Sequence, residues 1–224
     1  MSFVLAEVGR PVQSKRALIF VGGFSGCNEL SSAVARLFFC DTPRRRQTSW
    51  YRGLRAFGYR GRLFTFRWEC HWSQCFSPAS RKASVDEAAE ALCELFARSD
   101  DLMARQTSVL GYSMGGWIIQ RALRIARRNR VRIRRVYLLG AAAPRASRWP
   151  ELLESVSDGL WNFHSEDDEV LGRFYPNSIG VAGLPANYDG ARDVDCSSLV
   201  DCHSQWAYTL EDCLRRARVQ PSHL

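Results

Sequence analysis

The sequence predicts an α/β protein, a mostly parallel sheet with helices on both faces. Short apolar runs bounded by turn residues alternate with longer segments whose apolar positions recur at helical spacing. The alternation runs from about residue 16 to 217 with no linker, low-complexity tract or internal repeat. A length of 224 residues can bury a sizeable core. Residues 1–224 therefore read as one domain, with 1–15 as an N-terminal extension.

The elements follow in order. "RALIFVGGF" (16–24) is a buried strand that ends in glycines, and "NELSSAVARLFF" (28–39) has helical spacing. "TSWYRGLRAFGY" (48–59) reads as a helix ending near Gly58, and the aromatic-rich "GRLFTFRW" (61–68) as a strand. "SVDEAAEALCELFARS" (84–99) is a helix with Ser84 as its expected cap, acidic residues in its first turn and Arg98 in its last. Strands at 107–113, 134–142 and 159–165 flank a helix over 114–128. Residues 171–202, rich in Gly, Asn and Asp, are expected to be mostly loop, with a strand near "RDVDC". A final helix is expected over 203–218.

Composition narrows the class. The hydrophobic fraction of 46% and aromatic fraction of 12% belong to a globular chain, not a disordered one. No apolar run approaches the ~20 residues of a membrane span, and the N-terminus lacks a signal-peptide pattern. A soluble, cytoplasmic protein is expected. Of 31 cationic side chains only Lys15 and Lys82 are lysines, and the net charge is +8. The arginines read first as solvated helix faces, and second as a surface for weak binding of nucleic acid or an anionic membrane. None of the eight cysteines forms a C-x-x-C pair. Cys70, His71 and Cys75 lie close together, but no second pair at zinc spacing follows, so buried free thiols are expected.

"LGYSMGGW" (110–117) places Ser113 between Gly111 and Gly115 at a strand-to-helix junction. A G-x-S-x-G match arises by chance in such a chain roughly one time in ten, so the other parts decide. The glycines would let a strained serine stand exposed at a helix N-terminus. A serine nucleophile needs a base. His203 opens the last helix after a long loop and is preferred over His71, His164 and His223. The base needs a carboxylate, and Asp168 in "HSEDDEVL" follows a strand, with Glu166 and Asp167 beside it. The oxyanion donors are expected from the N–H of Met114 and, in the loop "VGGFSG", the N–H of Phe24.

These motifs, "LIFVGGF", "LGYSMGG", "LLGAAAP", "WNFHSEDDEVL" and "DCHSQW", resemble the α/β-hydrolase superfamily in its lipase-like branch. The combination is also similar to a little-characterised family of hydrolase-like domains attached to transmembrane and coiled-coil segments in eukaryotes. The resemblance implies a serine hydrolase with Ser113 as nucleophile, Asp168 as acid and His203 as base, requiring no cofactor and no metal. Two departures stand out. Gly22-Gly23 replaces the usual His-Gly, and the stretch 145–158 is too short for a large cap domain.

Without that cap, the segments 28–46 and 70–82 are expected to wall the substrate site through Leu37, Phe38, Phe39, Trp72 and Phe76. The expected substrate is a small ester or lipid, with amide and thioester as alternatives. The rival class is a catalytically inactive module that keeps the fold for binding. The arginine run 121–135 is expected at the opposite edge of the sheet from Ser113, ~20 Å along the helix. The sequence leaves the oligomeric state open.

Overall fold

In a computed structural model of the chain, residues 3–9, 13–23, 43–68, 77–99, 102 and 106–224 are described, with the side chains of 43–49 excepted. The elements in chain order are β1 (Phe3–Glu7), β2 (Ala17–Val21), α1 (Pro43–Ala56), β3 (Arg62–Trp68) and α2 (Pro78–Arg98). They continue with β4 (Thr107–Tyr112), α3 (Met114–Arg128), β5 (Ile133–Leu139), α4 (Trp149–Leu153) and β6 (Val156–His164). The last are α5 (Glu169–Phe174), α6 (Ile179–Ala182), β7 (Ala191–Asp195) and α7 (Leu210–Arg216), with a 3-10 turn at His203–Ala207 before α7.

Among the described residues, seven strands form one sheet in the order β1-β3-β2-β4-β5-β6-β7. Every pairing is parallel except β1 with β3. Side chains alternate across it, as a period of two requires. Ile19, Val21, Val109 and Val136 face α2 and α3, packing with Leu92, Ile118 and Leu123. Leu18, Leu110, Tyr137 and Leu139 face the other way, against Trp50 and Leu54 of α1 and Leu210 and Leu214 of α7. Helices therefore cover both faces. The connection from β5 to β6 carries only the five-residue α4, which leaves no room for a large cap there.

Several local expectations change. The stretch 1–15 contributes β1, an edge strand that the sequence pattern does not mark. The helix expected from Ser84 starts two turns earlier. Ser77 is its cap, accepting from the Ser80 N–H at 3.4 Å, and Pro78 occupies the first turn, where its missing N–H costs nothing. Ser84 is instead buried inside the helix, its hydroxyl donating to the Ser80 carbonyl at 3.1 Å. The segment 171–202 carries α5 and α6 besides β7. The helix expected at 203–218 divides into a 3-10 turn and α7, and the His203 carbonyl at the start of that turn accepts the Tyr112 hydroxyl at 2.8 Å. Among the described residues, no helix is long and apolar enough to cross a membrane.

Candidate active site

Ser113 lies in the turn between β4 and α3 with φ 57° and ψ −124°. A non-glycine residue pays ~1–3 kcal/mol for that backbone region. Its surroundings hold it there. The Ser113 N–H donates to Leu139 O at 3.2 Å, and its carbonyl accepts from Ala142 N at 2.9 Å and Gly116 N at 3.0 Å. A Cβ on Gly115 would stand 2.0 Å from Val21 O, so only glycine lets α3 start this close to the end of β2.

A serine at a helix start commonly accepts a bond from the first-turn N–H groups. Ser113 makes no such cap bond. Its Oγ lies 2.9 Å from His203 Nε2 instead. His203, 2% exposed, is fixed by Tyr112. The Tyr112 hydroxyl holds the His203 carbonyl, and the two rings stack with centroids 4.9 Å apart.

His203 Nδ1 lies 2.7 Å from Asp168 Oδ2. Asp168 is fully buried and caps α5, with Oδ1 accepting from Leu171 N at 3.0 Å. One oxygen thus serves the helix and the other faces the imidazole. Burial alone would raise the Asp168 pKa. Hydrogen bonding from His203, the His203 charge, the Leu171 N–H and the Trp206 indole together outweigh it and hold the carboxyl below its ordinary value. An ionised carboxylate only accepts, so Nδ1 carries a proton whether or not the ring is charged, and when the ring is neutral Nε2 is the nitrogen that can accept from the Ser113 hydroxyl. The arrangement can draw a proton from Ser113 onto Nε2 while Asp168 faces the imidazolium that forms.

The structure thus brings Ser113, Asp168 and His203 into one hydrogen-bonded chain. Glu166 and Asp167 are exposed. His164 ends β6, with Nε2 3.5 Å from Asp193 Oδ2. The carbonyl of His223 accepts from Arg135 and Tyr137 near the other end of the sheet. Met114 is the first residue of α3, where no intrahelical acceptor exists, and its N–H has no backbone acceptor among the described residues. The loop after β2 reaches the serine. Trp68 Nε1 donates to Gly22 O at 3.0 Å, and a Cβ on Gly23 would stand 2.8 Å from Ser113 Cβ. Phe24, the next residue, lies outside the described residues, as do Leu37, Phe38, Phe39, Trp72 and Phe76, and also Cys70, His71 and Cys75. Among the described residues, no cluster of three His, Cys, Asp or Glu side chains could hold a metal.

Two contributors escape the sequence reading. Trp206 Nε1 donates to Asp168 Oδ2 at 2.9 Å, and Tyr112 positions His203 as described. A tryptophan three residues after the candidate base is the one signal that could have pointed to the first. Nothing in "LGYSMGG" marks the tyrosine's role.

A family model described as "Protein of unknown function (DUF726)" matches residues 70–220, a span that includes Ser113, Asp168 and His203. A sequence search of curated proteins finds no match. Among solved structures, a lipase-esterase related protein from Clostridium acetobutylicum ATCC 824 is 12% identical. The match covers 95% of this chain and 98% of that one, with a TM-score of 0.55. Est1E from Butyrivibrio proteoclasticus is also 12% identical, with 96% of this chain and 92% of that one covered and a TM-score of 0.56. These likenesses show the fold, which is that of the α/β-hydrolases.

Proposed function

The chain belongs to the family described as "Protein of unknown function (DUF726)", and we propose that it is a serine hydrolase that cleaves carboxylic esters through an acyl-enzyme on Ser113. One observation carries the reading. Ser113 Oγ, His203 and buried Asp168 form a continuous hydrogen-bonded chain, with the serine held in a strained turn at the start of a helix. A serine serving only as a cap would not be aimed at a histidine.

In the proposed reaction His203 Nε2 takes the Ser113 proton as Oγ attacks the ester carbonyl carbon. The carbonyl oxygen becomes an oxyanion that accepts from the N–H groups of Met114 and Phe24. The tetrahedral intermediate collapses, the C–O bond to the alcohol breaks, and His203 returns the proton to the departing alkoxide. Water, deprotonated by His203, then attacks the acyl carbon. The acid leaves and the serine regains its proton. Asp168 stays ionised and fixes the imidazole orientation throughout. The mechanism draws on no cofactor or metal.

Hydrolysis of p-nitrophenyl acetate and butyrate tests the reading. Wild type is expected to turn over at least one of them, and Ser113→Ala to abolish that turnover while keeping its melting temperature. A folded wild type that hydrolyses neither, nor the matching thioester or anilide, would favour the inactive binding module.

A further inference from the structure

A second concave site lies at the far end of α3. A cavity of about 380 Å³ opens between α3 and the start of α4, lined by Arg124, Arg127, Arg128, Arg148, Ser147 and Glu151 among others. That volume falls within the range of small-ligand sites. Arg124 stands roughly 16 Å along the helix from Ser113 at 1.5 Å per residue, so the cavity is separate from the candidate active site.

The charges in it are arranged. Glu151 is the one carboxylate among the lining residues. Its Oε2 accepts from Arg127 Nη1 at 2.9 Å and its Oε1 from Arg148 Nη1 at 3.1 Å. Glu154 takes Arg127 Nε at 2.8 Å. The two glutamates pair with Arg127 and Arg148, while Arg124 and Arg128 form no ion pair among the described residues. Ser147 Oγ already accepts from Gln120 Nε2 at 2.6 Å, which leaves its own proton for an acceptor. The carbonyl end of α3 opposes an anion with about half a charge. Four guanidiniums against two carboxylates outweigh it, and a cleft focuses such an excess.

We propose that this cavity binds a phosphate-bearing group, a phosphomonoester or pyrophosphate, gripped by the unpaired forks of Arg124 and Arg128. Guanidinium matches phosphate oxygens two at a time, which a solvated helix face would not require. The group can come from a soluble phosphorylated molecule or from the headgroup of a membrane lipid. This site is independent of the hydrolase reading.

Calorimetric titration of the whole chain with inorganic pyrophosphate tests the site. So does flotation with phosphatidylcholine vesicles containing either phosphatidic acid or phosphatidylserine. Saturable pyrophosphate binding is expected, weakened about tenfold or more in Arg124→Gln/Arg128→Gln. Arg130→Gln/Arg132→Gln removes the same charge outside the cavity and is expected to change binding less than about twofold. Arg124→Lys/Arg128→Lys, which keeps the charge without the fork, should show an intermediate loss and guards against a folding defect in the glutamine pair. Flotation with phosphatidic acid but not phosphatidylserine identifies a headgroup ligand, and pyrophosphate binding without flotation identifies a soluble one. No saturable binding of either probe, equal loss in both glutamine pairs, or equal flotation on the two anionic lipids without saturable pyrophosphate binding would overturn the proposal.

Discussion

Trp206 donates its indole N–H, at 2.9 Å, to the same oxygen of Asp168 that faces His203 Nδ1. Both side chains are fully buried. Gly140 makes the contact feasible, since a Cβ there would stand 2.4 Å from the indole nitrogen. Two N–H donors therefore converge on one carboxylate oxygen and set its direction. Trp206→Phe removes one of them. The expected cost is about 1–3 kcal/mol of stability in urea unfolding. In kinetics on a small ester, we expect roughly a tenfold fall in kcat with KM little changed, because the substrate does not touch this bond. A variant that is destabilised but keeps full kcat would reduce Trp206 to packing.

The depressed pKa of Asp168 has a consequence for stability. In the unfolded chain this carboxyl has its ordinary value of about 3.8, and in the folded chain it titrates below that. Between those values the unfolded state binds more protons, so lowering the pH favours unfolding. The contribution is fully present above the unfolded pKa and is lost as pH falls through the folded one. The stability difference between wild type and Asp168→Asn should shrink as the pH falls below about 4. A pH-independent difference would mean that Asp168 is not ionised in the fold.

Asp168 and Asp167 are adjacent in sequence and unlike in environment. The first is buried against His203, and the second is exposed. Asp168→Asn is expected to lower kcat by about a thousandfold or more by disturbing the imidazole tautomer. Asp167→Asn is expected to stay within about twofold. The reverse order of damage would move the acid by one residue.

Arg127, Arg128, Arg130 and Arg132 stand at the end of the sheet away from Ser113. Neutralising all four is predicted to leave kcat/KM on a soluble p-nitrophenyl ester nearly unchanged, measured in a variant whose circular dichroism matches wild type. Arg127 pairs with Glu151 and Glu154, so some loss of melting temperature is expected from that position. A collapse of turnover in the folded variant would place the reacting centre elsewhere.

Sequence order and strand ends made much of this visible. Ser113 follows β4, Asp168 follows β6 and His203 follows β7; β4 and β6 carry apolar signals of their own, and the charged β7 only a faint one. Their meeting in space could be read because a parallel sheet collects such ends along one edge. What escaped depends on contacts between distant residues. Trp206 and Asp168 are 38 positions apart and Tyr112 and His203 are 91, and no local pattern records such bonds. β1 escaped because an edge strand of five residues, mostly half-exposed, lacks strict alternation. Ser84 resembles a cap because it precedes acidic residues, whereas Ser77-Pro78 already starts the helix.

Ser113 is proposed as a nucleophile activated by His203 and Asp168. The most direct measurement is intact-protein mass spectrometry after incubation with a fluorophosphonate. We predict one covalent adduct on wild type, mapped to Ser113 by peptide sequencing, absent from Ser113→Ala and strongly slowed in His203→Ala. A folded wild type that takes up no fluorophosphonate, or a Ser113→Ala variant labelled as fast as wild type, would contradict the account.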